Sequence, residues 1–294
     1  MHRSFVGAVS LALMLASPGA ATAAPDQADW QPVGDGTESG ISGIALVDAT
    51  PEATEAIIVR DNKKDGENRA SWLSLRQGQV TGAEPLDWQG ELPVDLEAIE
   101  AIPGSPGEYI ALASDGSACH VRIDRSGATV LGTFELPDRA DDENYEGFGL
   151  LAADGRLFAV WAERGEDDRP ATLRAAEFDE ERLEFGEAQT QEFRAPYPTK
   201  DVRHVSDLKL RADGRIVVSS ASDSGDDGPF DSAVFAAGTL TVVGGEPRLT
   251  IDQEPERLGE FPGHKVEALI EVGGGLLLGS DDENAGGSVL TTGS

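Results

Sequence analysis

Val266-Glu267-Ala268-Leu269 lies near the C-terminal end of a 294-residue chain, and four upstream segments share its pattern. They are Ile41-Ser42-Gly43-Ile44, Leu96-Glu97-Ala98-Ile99, Tyr145-Glu146-Gly147-Phe148 and Val205-Ser206-Asp207-Leu208. Each reads as an apolar residue, then Ser or Glu, then usually a small residue, then a return to apolar character. The second positions fall at 42, 97, 146, 206 and 267, so the intervals run from 49 to 61 residues. Repeats of about 40 to 50 residues are typical of four-stranded propeller blades, and longer loops stretch them.

The remainder of each unit repeats too. A second apolar run follows each opening: Ala56 to Val59, Tyr109 to Leu112, Leu157 to Val160, Ile216 to Val218 and Leu276 to Leu278. An acid closes or follows these runs, at Asp61, Asp115, Glu163, Asp223 and Asp281. A third segment opens on small residues, as in Ala70-Ser71-Trp72-Leu73 and Gly287-Ser288-Val289-Leu290. Short apolar runs between Gly and Asp clusters, without a sustained 3.6-residue period, are strand signals. The first four units add a fourth segment, such as Ala128 to Leu136 or Pro247 to Ile251, but the fifth reaches Ser294 without one. Asp29-Trp30-Gln31 precedes the first opening as Asp87-Trp88-Gln89 precedes the second, and supplies the missing strand. A two-sheet sandwich would need neither five in-phase units nor a split last one. The expectation is an all-β, five-bladed β-propeller over residues 24–294, closed by its N-terminal strand, since closure removes exposed sheet edges.

Residues 1–23 read as a secretory signal peptide: His2 and Arg3, an apolar stretch from Phe5 to Ala16, and Ala21-Thr22-Ala23 as a small-x-small cleavage site. That stretch is too short for a membrane anchor. A secreted protein, extracellular or periplasmic, is expected. Asp and Glu number 54 against 23 Lys and Arg, for a formal charge of −31, which repels nucleic acid and anionic lipid. Neither is an expected partner; cations are. One Cys excludes an internal disulfide framework, and with four His it leaves too few ligands for a zinc cluster. A monomer is expected.

In a propeller the first strand of each blade lines the central channel, so the five second positions meet at one axis. In order they are Ser42, Glu97, Glu146, Ser206 and Glu267. Three carboxylates at a narrow axis repel unless a proton or a cation joins them. Calcium accepts six to eight oxygen ligands with flexible geometry, which suits this set better than magnesium or zinc. The competing reading has these Glu side chains capping backbone N–H groups in a water-filled channel.

The order Ser, Glu, Glu, Ser, Glu resembles the calcium-activated nucleotidase (apyrase) group, five-bladed propellers with a channel calcium ion. The stretches His204 to Leu210 and Val266 to Glu271 are similar to that group's fourth and last blade motifs. Asp95-Leu96-Glu97 and Leu278 to Asp282 are similar to bacterial secreted phytase-like and esterase-like propellers. The resemblance implies a calcium-ligand role for Ser42, Glu97, Glu146, Ser206 and Glu267. Where the nucleotidase group carries an acidic pair followed by Arg-Thr-Gly, this chain has Arg60-Asp61-Asn62-Lys63-Lys64-Asp65-Gly66.

A phosphate clamp needs Arg, Lys or a metal. The loop face where the first strands begin offers Arg60, Lys63, Lys64, Arg69, Arg164, Arg169, Lys200, Arg203 and Lys265, with His204 and His264. Acids of the same loops, including Asp61, Glu163, Asp201 and Asp223, suggest a salt-paired rim instead. No Gly-x-Ser-x-Gly elbow or Walker loop is present. Glycosidase chemistry needs two carboxylates at a set separation, and the acids are too many to choose a pair. Strand alternation makes Cys119 a buried thiol and turns His120 away from it. Two readings result. One is a calcium-stabilised binding or scaffold protein. The other is a calcium-dependent phosphoric-ester hydrolase acting on a small phosphorylated molecule at the loop face above the ion.

Overall fold

The computed structural model describes residues 29–140 and 142–293, so the expected signal peptide lies outside the described residues. Five sheets, antiparallel apart from one short parallel pairing at the edge of the second, follow one another in chain order, as the repeat requires. The first blade is Gly43–Ala49, Ala53–Val59, Ala70–Arg76 and Gln79–Pro85. The second blade runs Leu96–Ala101, Glu108–Ala113, Ser117–Asp124 and Gly127–Glu135. The third has Tyr145–Ala153, Arg156–Glu163 and Ala171–Asp179, and its outer place is shared by Glu184–Phe185 and Gln189–Phe193. The fourth is Val202–Leu210, Arg215–Ser222, Asp231–Val243 and Glu246–Pro262.

The fifth blade is split. Val266–Val272, Gly275–Asp281 and Gly287–Thr291 come from the C-terminal end, and Gln31–Pro32 adds the outer strand, antiparallel, with Gln31 opposite Val289. This is the closure the sequence implied. The likeness between the two Asp-Trp-Gln segments is misleading, however. Trp88–Gln89 pairs in parallel with Ala128 and Thr129, at the outer edge of the blade it precedes, and closes nothing.

The core is five seams between blades rather than one centre. Ile57, Trp72, Ile99 and Tyr109 fill the seam between the first and second blades. Ile110, Phe148, Trp161 and Phe178 fill the next, and Phe158, Leu173, Leu208 and Phe235 the third. Val217, Val234, Val266 and Leu278 pack between the fourth and fifth, with Trp30 against them, and Ile44, Ile58, Leu73 and Ile270 join the fifth to the first. Burial of each such side chain is worth about 1.5–3 kcal/mol. Trp30, Trp72, Trp88 and Trp161 all pack at these seams. Cys119 is half-buried, contrary to the expectation of a fully buried thiol, although its strand pairs in regular register with Glu108–Ala113.

The small third position of the opening motif has a steric cause. A Cβ on Gly43 would lie 3.0 Å from the Ala98 Cα, and one on Gly147 would lie 2.5 Å from the Leu208 Cβ. Inner strands of adjacent blades approach there, backbone against backbone. Asp207, the exception, replaces that contact with a bond: its Oδ2 accepts the Leu269 N–H of the next blade at 2.8 Å.

Candidate functional site

Each Glu of the opening motif sits at a break in strand pairing. The register slips by one residue between Leu96 and Ala98, between Tyr145 and Gly147, and between Val266 and Ala268. A bulge re-aims the extra residue out of the pleat, and here that residue is Glu97, Glu146 or Glu267. Ser206 lies in the corresponding irregular stretch between Arg203 and Asp207. Ser42 directly precedes its strand, anchored by its N–H donating to the Val59 carbonyl at 3.1 Å. All five side chains are buried.

The fold brings the three glutamates within electrostatic reach of one another. Burial, then the charges of Glu146, Glu267, Asp95 and Asp61, push the Glu97 carboxyl well above its ordinary range. Burial and Glu267 raise Glu146 to about 7 against the opposing pull of Arg203 and Arg164. Two loop acids that the repeat does not single out join the group. Asp61 rises to about 6 and Asp281 to about 8, each through burial first and Glu267 next. Gly40 makes room for Asp281, since a Cβ there would run into its carboxylate.

Cations stand among these acids, unevenly. Arg203 Nη1 lies 2.9 Å from Glu267 Oε1 and 3.7 Å from Glu146 Oε1, and its Nη2 pairs with Asp223. Lys265 Nζ is 2.6 Å from Glu283 and 3.3 Å from Glu267. Arg164 Nη1 reaches Glu146 at 3.4 Å. Burial opposes the charge of Arg203 and Lys265, but the surrounding carboxylates outweigh it and hold both protonated. Glu97 has no ion-pair partner among the described residues; of the cations whose charge it feels, Lys63 bonds to Asp95 at 3.0 Å and Arg203 to other acids. A cavity of about 180 Å³, lined by Asp61, Lys63, Asp281 and Glu283 among others, opens beside the ring on this face.

Several atoms of the ring are buried without a hydrogen-bond partner: Ser42 Oγ, Ser206 Oγ, Glu146 Oε2, Arg164 Nε and Arg203 Nε. Buried polar groups in folded proteins are paired as a rule, and although unpaired atoms occur elsewhere too, as at Trp161 Nε1 and Ser219 Oγ, five of them fall on the ring and its two arginines. The oxygens among them are hard donors of the kind calcium takes. As they stand, no three His, Cys, Asp or Glu side chains among the described residues are grouped so as to hold a metal ion.

Other candidates resolve into structural roles. Arg60 and Arg69 are buried and spent on backbone: Arg60 donates to the Ser39 and Gly40 carbonyls, and Arg69 to those of Pro93, Glu67 and Lys64. Arg169 pairs with Glu163 at 2.6 Å, and Lys200 with Asp201. His204 accepts the Ala195 N–H at Nδ1, and its Nε2 faces the Asp167 carbonyl at 2.8 Å, so it caps two loops; burial pushes its pKa down. His264 pairs with Asp282 at 2.6 Å and stacks on Trp30 with ring centres 4.2 Å apart. His120 pairs with Glu108, away from Cys119, whose thiol burial raises to about 11. Of the nine basic candidates, only Arg164, Arg203 and Lys265 reach the ring acids. No sequence period marks them.

No family model matches the chain, and no curated protein matches it. Among solved structures it is similar to an exo-1,5-α-L-arabinanase from a bovine ruminal metagenomic library. That match has 11% identity and a TM-score of 0.52, covering 87% of this chain and 94% of that one. A thermostable family-43 glycoside hydrolase gives 10% identity and a TM-score of 0.46, over 90% and 96% of the two chains. The family-43 protein BlXynB from Bacillus licheniformis gives 13% identity and 0.44, over 74% of this chain and 44% of that one, so this chain spans less than half of BlXynB. At such identities the likeness is one of fold, the five-bladed propeller.

Proposed function

We propose that the chain is a calcium-binding propeller whose ion sits at the loop-face mouth of the channel, held by Ser42, Glu97, Glu146, Ser206 and Glu267. One observation carries this reading: oxygens from three different blades, Ser42 Oγ, Glu146 Oε2 and Ser206 Oγ, are buried without partners among an excess of carboxylates. The raised carboxyls favour an ion, because a divalent cation offsets both the burial and the mutual repulsion that disfavour their charged forms. When bound, the ion would tie several blades together and give the rim a fixed positive centre. The output we assign is binding of a ligand at that face by an exported protein.

A second reading, hydrolysis of a small phosphoric ester, is favoured by the unpartnered Nε donors of Arg164 and Arg203 beside the same acids. Guanidinium donors suit phosphoryl oxygens. Arabinan-type glycosides belong in the same assay, because the arabinanase shares the fold.

The test is thermal melting and calorimetric titration of the full mature chain with calcium and with chelator, for the natural sequence and for Glu97→Gln/Glu267→Gln. A calcium-dependent rise in melting temperature that the double variant loses supports the site; no rise in the natural protein refutes it. Phosphate release from nucleoside di- and triphosphates or phytate, lost with chelator, would move the conclusion to the hydrolase.

A further inference from the structure

We infer that Arg203 is a tethered cation that occupies the ring carboxylates until a divalent ion displaces it, and that Asp223 is the seat to which it withdraws. This rests on the calcium reading above and says what sets the affinity of that site. The guanidinium straddles two positions. Nη1 faces inward, 2.9 Å from Glu267 Oε1 and 3.7 Å from Glu146 Oε1, while Nη2 pairs outward with Asp223 Oδ2. Both inner acids are almost fully buried, whereas about a third of the Asp223 side chain is exposed. One seat is therefore the ring and the other is the rim.

A guanidinium and a calcium ion cannot share the same carboxylate oxygens, since two cations at that spacing repel strongly in a buried site. Arg203 Nη1 contacts both Glu146 and Glu267, so one cation is shared by two ring acids. Withdrawal needs only side-chain rotation, because Nη2 already rests on Asp223 and Nε is unpartnered where it stands. Lys265 is a poorer candidate: it touches one ring acid and is held from behind by Glu283. The arrangement also selects for charge. A divalent ion gains enough from three carboxylates to evict the guanidinium, while sodium or potassium does not. Arg203 is thus a specificity-determining residue rather than a ligand.

Calorimetric titration with calcium chloride, alongside melting curves in chelator, tests this on the full chain. Arg203→Gln is expected to bind calcium about tenfold tighter than the natural protein. It should also melt lower in chelator, having lost the internal cation. Asp223→Asn is expected to act in the opposite direction, weakening calcium severalfold because Arg203 loses its retreat. Natural protein that binds calcium with Arg203→Gln equal or weaker overturns this inference and leaves the site itself intact. If neither binds, the calcium reading falls and takes the inference with it. Should Arg203→Gln not fold, Asp223→Asn decides alone: weaker binding supports the inference and unchanged binding overturns it.

Discussion

The five inner strands carry two groups of buried charge, one at each end of the channel, and the two are finished differently. At the far end, three residues below Ser206 and so roughly 10 Å along the strand, Lys209 Nζ crosses from the fourth blade to the Ile99 carbonyl of the second, 3.2 Å away. It also holds Asp207 Oδ1 at 3.2 Å, while Asp207 accepts the Leu208 and Leu269 N–H groups. Each heteroatom of that pair has a protein partner. At the loop-face end the cluster is larger and incomplete: Ser42 Oγ, Ser206 Oγ and Glu146 Oε2 are unpaired, and Glu97 lies beside like charges with no ion-pair partner among the described residues. The same strands, bulged in similar places, can therefore seal a channel or leave a site. The difference lies in how completely the polar atoms at each end find partners within the protein.

That comparison orders the expected effects. Breaking the sealed pair should cost most. Asp207→Ala leaves Lys209 buried without its acid and the Leu269 N–H unpaired, a loss of about 3–5 kcal/mol, or a fall of roughly 10 °C in melting temperature. The fall should be the same with calcium and with chelator. A smaller loss than any ring variant suffers would remove the distinction between the two ends. The ring is expected to respond to calcium instead. At calcium one hundredfold above its dissociation constant, stabilisation should reach about 2.7 kcal/mol, and Glu97→Gln/Glu267→Gln should melt at one temperature in either buffer. Glu97→Gln alone should raise the calcium-free melting temperature, because it removes a repelled carboxyl and keeps its shape.

The propeller and its ring were legible because both are periodic. A motif that lines the channel must recur once per blade, and the small residue after Ser or Glu records the close approach of the next inner strand, at Gly43 and Gly147. The charges that complete the site are not periodic. Arg203 and Lys265 each precede an opening motif, but so do Lys200 and His204, which face elsewhere. Asp61 and Asp281 close second strands as Asp115 and Glu163 do, yet Asp115 caps its own turn through Ser117 and Glu163 binds Arg169. Which loop acid turns inward depends on loop length and on neighbours such as Gly40, and one sequence does not reveal that. The Asp-Trp-Gln pair pointed to the right closing strand, but its two members are not equivalent: identical tripeptides meet different free edges, one on the fifth blade and one on the second.

The open end should also make the calcium-free protein sensitive to pH. Asp61, Glu146 and Asp281 have folded pKa values of about 6, 7 and 8, against roughly 4 in an unfolded chain. The folded state therefore binds more protons across this interval, and stability must fall as pH rises from 5 to 8. Glu100 and Asp207 at the far end, raised by burial to about 7 and about 6, add to the fall, and His204, pushed down by burial, works the other way but is one group against these five. A melting temperature a few degrees lower at pH 8 than at pH 5 is expected in chelator, and calcium should remove the share of the slope that the open end supplies. A flat curve without calcium would place these carboxyls in contact with solvent, and the open end would then differ little from an ordinary rim.

The smallest effect belongs to the hydroxyls. Ser206 Oγ is fully buried and makes no hydrogen bond. Removing one partner of a buried pair is costly because the other is stranded, but here nothing is stranded. Ser206→Ala should stay within about 0.5 kcal/mol of the natural protein in chelator, whereas its calcium affinity should drop a fewfold through loss of a ligand oxygen. Ser220→Ala is the matched control. Ser220 lies on the neighbouring strand, equally buried, and its Oγ donates to the Arg203 carbonyl at 2.8 Å. That substitution should cost about 1 kcal/mol or more with or without calcium. If the two serines behave alike, the unpaired hydroxyls at the axis carry no ligand role, and only the carboxylates would distinguish the open end from the sealed one.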